Sequence, residues 1–214
     1  VRNVIATSAK GNKTVSNLIT FRDGTSFNTV ENCISKGINT GVKFTMNIKE
    51  DKGQQDGGHH NRVKNSVFIN TKVIISVKGI NGTALQSHDN EFINCTFYSA
   101  QNLYRLDTDF PSSNRFINCI FSNIKNEVLR NGKSYANYEF SNFYKCDDWS
   151  KKYLKVNNNI SADPLFKDES RGDFNLTPKT PVIISRGGVT ISDIYYDIKD
   201  KERLPQFSIG AFQL

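Results

Sequence analysis

The chain has 214 residues, of which 37% are hydrophobic and 23% charged, a composition compatible with a globular protein of one or two domains. No apolar run approaches the roughly 18 residues that a membrane-spanning helix needs, so the sequence predicts no membrane span. The formal net charge is +7, which favours an acidic partner such as nucleic acid, an acidic membrane surface or an acidic polymer.

An eight-residue motif recurs along the chain. The clearest copies are NEFINCTF at 90–97 and NRFINCIF at 114–121, and weaker copies occupy 28–35, 61–68 and 138–145. One asparagine serves as the register mark in each copy, and the opening residues VRNVIA fit the same frame. The register column is Asn3, Asn32, Asn65, Asn94, Asn118 and Asn142, with steps of 24 to 33 residues between neighbours. Periods of this length are typical of solenoid proteins.

Each copy of the motif predicts two short strands separated by a bend. Apolar residues alternate up to Phe92, the chain bends at Asn94, and the apolar pattern resumes at Phe97. There is no 3.6-residue periodicity, so the sequence predicts an all-β solenoid whose parallel strands stack about 4.8 Å apart. Residues 1–146 should form its coils, and residues 147–214, which lose the register, its last coils and C-terminal cap. A recurrent inward asparagine at each bend would bond the next coil and form an asparagine ladder.

The repeats also predict the core and the state of the cysteines. Six residues should be buried, each stacking on its counterpart one coil away: Val63, Phe68, Phe92, Phe97, Phe116 and Phe121. The spacing of the four cysteines matches no zinc signature. Cys33, Cys95 and Cys119 directly follow a register asparagine, and we expect them to be free and buried, like Cys elsewhere in protein cores. A disulfide between Cys95 and Cys119 is the alternative.

The repeats and the tail of the chain resemble the right-handed parallel β-helix proteins of the pectin-lyase-like superfamily. The tail segments resemble the closing segment of secreted bacterial members: ADPLF at 162–166, GDFNL at 172–176, TPVI at 180–183 and IGAFQ at 209–213. Ser208 stands where Asp is common, and TPVIISRGG lacks the usual acidic residue, so no subfamily is indicated. The resemblance implies a right-handed parallel β-helix, a secreted or cell-surface bacterial protein, and a polysaccharide lyase, glycoside hydrolase, tailspike or adhesin.

The first residues carry a further expectation about the rest of the protein. Val1 already fits a repeat, and solenoids normally begin with a cap, so we expect N-terminal coils to be missing from this chain. That missing part of the same protein is then one expected partner.

Alignment of the repeats predicts which strand residues face outward. Two mostly apolar columns should face the core: Val42, Ile75, Tyr104 and Val128, then Phe44, Val77 and Leu106. The alternate positions place Lys43, Lys78, Arg105 and Asp107 on one external sheet, because residues two apart on a strand share a face. Two long loops, 47–60 and 79–89, should overhang this sheet, and all three histidines, His59, His60 and His88, lie at their ends.

Two chemistries fit this external sheet. In β-elimination of a uronate polymer, Arg105 would neutralise the carboxylate and Lys78 would abstract the C5 proton, with His88 as an alternative base or acid. Substrate contacts would come from Lys43, Tyr104, Asp107, His59 and His60. In hydrolysis, Asp107 and Asp109 would act as the two carboxylates, about 6.6 Å apart on a strand. Ser76 and Lys78, however, stand where pectinase-type hydrolases have a further aspartate.

The sequence predicts an acidic polysaccharide as the partner, with elimination favoured over hydrolysis. The pair Lys78 and Arg105 resembles the Lys and Arg of the alginate lyase and chondroitinase B family, although the acidic calcium ligands of that family are absent before Lys78. No metal site or cofactor is therefore predicted; calcium is compatible with the family, but its ligands are not identifiable. Nucleic acid is disfavoured, because the basic residues lack interleaved aromatic residues. A merely solvated basic surface on a non-catalytic scaffold, adhesin or carbohydrate-binding module is the remaining alternative.

Overall fold

The structure is a computed structural model that describes residues 1–7, 17–22, 24–45, 58–78, 87–106, 113–129 and 136–214. At Lys78 and Leu129 it describes the backbone only. In chain order the strands are β1 (Ile5–Thr7), β2 (Asn17–Arg22), β3 (Thr29–Glu31), β4 (Ile34–Lys36), β5 (Thr40–Thr45), β6 (Arg62–Lys64), β7 (Val67–Ile69), β8 (Val73–Lys78), β9 (Asn90–Ile93), β10 (Thr96–Leu106), β11 (Asn114–Ile117), β12 (Ile120–Leu129), β13 (Asn137–Glu139) and β14 (Asn142–Tyr144).

Within the described residues these strands form two parallel sheets. The five-stranded sheet has the order β13-β11-β9-β6-β3, so the first strand of each motif copy pairs with the first strand of the next. The other sheet has nine strands. Its long strand β10 pairs with β7 through its first residues and with β8 through its last, and β12 pairs with β10 along its length. The chain is therefore all-β with parallel sheets, an architecture compatible with a β-helix.

Helices are few in the described part of the chain. They are two 3₁₀ helices, Asp148–Tyr153 and Glu169–Arg171, and one short α-helix, Val182–Ser185. None of the helices described is long and apolar enough to cross a membrane.

The bend column is confirmed for the first five register asparagines. Asn3, Asn32, Asn65, Asn94 and Asn118 all have a left-handed backbone, with φ between 50° and 58° except for Asn65 at 46°. Asparagine tolerates this conformation better than most residues, which explains its recurrence at the bend. The last step of the register was wrong: Ile117 pairs with Glu139 and Ile120 with Asn142, an offset of 22 residues, so Phe140 occupies the bend instead of Asn142. The five-residue spacing of the core aromatic residues Tyr138 and Phe143 sets this register.

The asparagine ladder exists, but a different asparagine forms it. Its members lie four residues before the bend and are almost fully buried from the second onward: Asn28, Asn61, Asn90 and Asn114. Their side-chain amides bond in series, with Nδ2–Oδ1 distances of 3.1, 3.0 and 3.2 Å. The side chains at the bends Asn65 and Asn118 instead bond backbone oxygens of Tyr196 and Val189. These lie in the residues that follow the first 3₁₀ helix, 154–214, which we call the C-terminal segment. The left-handed backbone at the bend turns its side chain out of the core, whereas the ladder position turns inward.

The predicted core is confirmed. Val63 is 1% exposed, and the five predicted phenylalanines, Phe68, Phe92, Phe97, Phe116 and Phe121, are fully buried. Phe68, Phe97, Phe121 and Phe143 form one continuous stack, with ring centroids 5.1, 5.0 and 4.9 Å apart. A second stack joins Phe92, Phe116 and Tyr138 at 4.9 and 5.0 Å. Stacked aromatic rings at this spacing add to the stability that burial provides.

Cys or Ser recurs directly after the bend because the side chain at this position contacts a buried backbone oxygen. Cys33, Cys95 and Cys119 are free and buried, as predicted, and Cys146 is also free. The thiols of Cys95 and Cys119 each contact the backbone oxygen two residues earlier at 3.4 Å. Ser66 makes the same bond at 2.8 Å and also accepts from the backbone N of Cys33 at 3.2 Å. A short donor side chain therefore satisfies a buried carbonyl at this corner of each repeat.

Residues 147–214 pack in two different places. The 3₁₀ helix Asp148–Tyr153 covers the last repeat, where Trp149 and Tyr153 contact Tyr138 and Phe143. The later residues lie along the outer faces of both sheets. There they bury outward apolar positions, with Phe174 and Ile209 in a cluster with Val67 and Ile120, and Ile194 and Phe207 in a cluster with Ile93 and Ile117.

Candidate functional site

The outward positions of β2, β5, β8 and β10 lie in two rows. Thr20, Lys43, Ser76 and Arg105 pair across the strands as one row, and Arg22, Thr45 and Lys78 as the next. We call Arg22, Lys43, Lys78 and Arg105 the basic face. Lys43 and Arg105 are half-buried and Arg22 is exposed. Among the residues of these two rows that the structure describes, none is acidic.

Not every predicted site residue lies on this face. Tyr104 is 1% exposed and lies in the core, where Asn114 Nδ2 donates to its phenol oxygen at 3.4 Å. Burial raises the pKa of Tyr104, so the side chain stays neutral. An interior side chain cannot touch a polymer outside, and the substrate contact predicted for Tyr104 is therefore wrong. Asp107 and Asp109 lie outside the described residues, as does the side chain of Lys78.

The three histidines, which the sequence placed at the ends of two loops, meet at one corner of the molecule. The rings of His59 and His88 are nearly parallel, with centroids 5.1 Å apart. The ring of His60 is nearly perpendicular to both, at 5.0 and 5.8 Å. The backbone N of His60 donates to the oxygen of His88 at 3.3 Å, so the two repeats are bonded to each other at this point.

Two further residues complete this corner, and the sequence analysis missed both. Phe27 stacks on His60 at 5.2 Å, and Asp89 Oδ2 lies 2.8 Å from His88 Nδ1. The hydrogen bond from His88 lowers the pKa of Asp89 and keeps it ionised, with a smaller contribution from Ser113. Phe27, His60 and Asp89 each precede a ladder asparagine, so alignment on that asparagine would have placed them in one column. We call Phe27, His59, His60, His88 and Asp89 the histidine corner.

The histidine corner contains the one group of His, Cys, Asp or Glu side chains in the described residues that has the spacing of a metal site. His60, His88 and Asp89 each offer one ligand atom, and these atoms lie within 4.8 Å of one another. No metal ligands were predicted from the sequence, where the histidines were assigned to catalysis and substrate binding and Asp89 was not singled out.

A row of alternating charges runs beside the histidine corner on the outer face of the five-stranded sheet. Arg62 bonds Glu91 at 3.1 Å, and Arg115 bonds Glu91 at 3.0 Å and Glu139 at 3.1 Å. We call these four residues the paired row, because each arginine has a carboxylate partner within it. Its first three members line an open cleft of about 450 Å³ together with Phe27, His60 and Asp89.

The histidine corner and the basic face are close along the chain. Strand β2 ends at Arg22, and Ser26, four residues later, forms a parallel bridge with His59. A side chain at Gly58 would lie 3.4 Å from Phe21 and Phe44, the core residues of β2 and β5. The corner therefore lies next to β2 and β5, which carry Arg22 and Lys43 of the basic face.

Comparisons with known proteins give no match: no protein-family model matches the chain, and no curated protein matches it.

Proposed function

We propose that this chain is part of a right-handed parallel β-helix of the pectin-lyase-like type, which acts outside a bacterial cell on an acidic polysaccharide. Support for the architecture comes from the parallel pairing of successive repeats, with offsets of 22 to 33 residues, and from the buried asparagine ladder. The polysaccharide binds along the basic face, and the protein cleaves it by β-elimination.

One observation carries the choice of substrate. The two outward rows of β2, β5, β8 and β10 contain four cationic residues and no acidic one among the residues described. The paired row on the five-stranded sheet is balanced instead, since its two arginines bond two carboxylates, those of Glu91 and Glu139. A polyanion therefore gains more from the basic face, where the row residues that the structure describes are cationic or neutral.

The lateral spacing of the basic face suits an extended chain. Lys43 and Arg105 lie in one row with Ser76 between them, so their strands are two spacings, or about 10 Å, apart. A linear polymer that crosses the strands would meet one cation near each end of this span.

The proposed elimination needs a group that binds the carboxylate, a base and an acid. The guanidinium of Arg105 pairs with the uronate carboxylate through two parallel hydrogen bonds and so makes the C5 proton more acidic. Lys78 or His88 takes that proton as the base, the electrons of the C–H bond form the C4–C5 double bond, and the bond from C4 to the leaving oxygen breaks. A protonated acid then supplies the proton that the leaving oxygen needs.

The test uses a panel of uronic-acid polymers, namely alginate, pectate and glycosaminoglycans. Elimination gives an unsaturated uronate that absorbs ultraviolet light, whereas hydrolysis gives reducing ends without that absorbance. We expect the absorbing product from one polymer class, its loss in Arg105→Ala, and its retention in Arg115→Ala, the matched control from the paired row. If only reducing ends appear, the reaction is hydrolysis, and Asp107 and Asp109 are its two candidate carboxylates. If the folded chain binds one of the polymers without releasing either product, it is a non-catalytic scaffold or binding module.

A further inference from the structure

We propose that His60, His88 and Asp89 form a binding site for a divalent transition-metal ion of the zinc or copper class. Two imidazoles and a carboxylate are a donor set that such ions accept in sites with three protein ligands. Calcium and magnesium prefer ligand sets made of oxygen alone, so these residues select against them. The site does not depend on the proposed polysaccharide activity, and a metal-bound His88 leaves Lys78 as the base of that reaction.

The spacing of His88 and Asp89 already matches one edge of a coordination shell. His88 Nδ1 and Asp89 Oδ2 lie 2.8 Å apart. Bonds of about 2.0–2.2 Å place two ligand atoms of one zinc ion roughly 3.0–3.5 Å apart. A metal ion can therefore replace the proton that these two atoms share, after a small separation of the side chains.

The backbone fixes the positions of two of the ligands, His60 and Asp89. His60 and Asp89 occupy the same position in successive repeats and have similar left-handed φ angles, 53° and 51°. The next residue in each repeat, Asn61 or Asn90, belongs to the buried ladder, where their amides bond at 3.0 Å. The backbone positions of His60 and Asp89 are therefore fixed relative to each other by the stacked repeats, and the three ligand atoms already lie within 4.8 Å of one another.

Neighbouring rings orient the two imidazoles. His59 stacks on His88, and its Nδ1 lies 2.8 Å from Nδ1 of His60. Phe27 stacks on the other ring, that of His60. Neighbours that fix the orientation of ligand rings strengthen metal binding. Three protein ligands leave at least one coordination position for water or an anionic oxygen ligand, because zinc sites hold four ligands or more.

The test is a calorimetric titration of the chain, without affinity-tag histidines, with Zn²⁺ and with Cu²⁺. We expect one ion per chain with a dissociation constant in the micromolar range or below. The electron paramagnetic resonance spectrum of the Cu²⁺ form should show coupling to imidazole nitrogen. His60→Asn and Asp89→Asn keep a residue type that tolerates the left-handed backbone, and His88→Ala removes the second ring. Each should weaken binding by roughly tenfold or more.

Asp148→Asn is the matched control, because Asp148 is an exposed carboxylate of the first 3₁₀ helix and belongs to no such cluster in the part of the chain that the structure describes. It should bind the ion like the unmodified chain. Absence of saturable binding below millimolar concentration would overturn the site. So would unchanged affinity in all three site variants, provided that their circular dichroism spectra show the same fold.

Discussion

Asn118 and Val189 exchange two hydrogen bonds although 71 residues separate them. Asn118 Nδ2 donates to the backbone oxygen of Val189 at 2.7 Å, and the backbone N of Val189 donates to Asn118 Oδ1 at 2.8 Å. The side-chain amide thus pairs with the C-terminal segment as a neighbouring strand would. The bend asparagine has two roles, because it tolerates the left-handed backbone and also anchors the segment that covers the outer face of the sheets.

Replacement of Asn118 should therefore loosen the C-terminal segment. Asn118→Asp keeps the left-handed backbone but cannot donate to the oxygen of Val189, and it places a charge at a fully buried position. We expect the free energy of unfolding to fall by about 1–3 kcal/mol or more, measured by denaturant titration. Asn158→Asp, at an exposed left-handed position, is the control and should change it by less than about 0.5 kcal/mol. Equal stability of the two variants would show that the pairing with Val189 contributes nothing.

Phe116 tests the core. Its ring stacks between Phe92 at 4.9 Å and Tyr138 at 5.0 Å, and it is fully buried. Phe116→Ala should lower the free energy of unfolding by about 3–5 kcal/mol, through lost burial and the cavity that remains. Phe27→Ala is the matched control, because Phe27 is 76% exposed and should cost much less. A cost below about 1 kcal/mol for Phe116→Ala would mean that the second aromatic stack is not formed.

The sequence was sufficient for the parts of the fold that each repeat encodes separately. The inward columns were predictable because Phe92 and Phe116 recur at one spacing and stack directly in the structure. The ladder was assigned to the wrong asparagine because the motif contains two recurrent asparagines. The sequence alone does not show which of their side chains turns inward. The backbone at Asn94, with φ of 50°, makes that distinction.

Features made by residues outside the repeats were not predictable in the same way. The C-terminal segment has no internal repeat, so its position along the sheets could not be predicted from its sequence. Outward apolar residues such as Ile93 and Ile117 could have indicated that another segment packs on the outer face of the sheet. The histidine corner joins residues from different repeats, and only the position of His60 and Asp89 before ladder asparagines could have indicated it.

Tyr98 should make stability depend on pH in the alkaline range. It packs against Phe174 of the C-terminal segment and donates to Glu169 Oε2 at 2.9 Å. Burial, followed by this hydrogen bond, raises the pKa of Tyr98 from its ordinary value of 10.0 to about 12. The folded state therefore holds the proton more tightly than the unfolded state, and the stability from this group is complete below pH 10 and lost as pH rises towards 12.

The measurement is denaturant unfolding at pH 9 and at pH 11 for the unmodified chain and for Tyr98→Phe. The variant should be less stable at pH 9, since it lacks the bond to Glu169, but should lose less stability between the two values. Other buried tyrosines titrate in both proteins and cancel in the comparison. An identical loss in both would contradict the role of the Tyr98 hydroxyl.

Binding of an acidic polysaccharide should weaken steeply as salt increases. Charges on the basic face are screened within about 8 Å at physiological ionic strength. Lys43→Ala should lower affinity several-fold at low salt and flatten the salt dependence. Lys155→Ala, an exposed cation after the first 3₁₀ helix, should leave both nearly unchanged. If a neutral glucan binds equally well at high salt, electrostatic attraction does not select the ligand.

A crystal structure of the chain with a bound uronate oligosaccharide tests the central claim most directly. The account predicts that the sugar lies across β5, β8 and β10, with one carboxylate within hydrogen-bonding distance of the Arg105 guanidinium and another near Lys43. Density for the oligosaccharide in the cleft beside the paired row, or on the C-terminal segment, with the basic face empty, would contradict it.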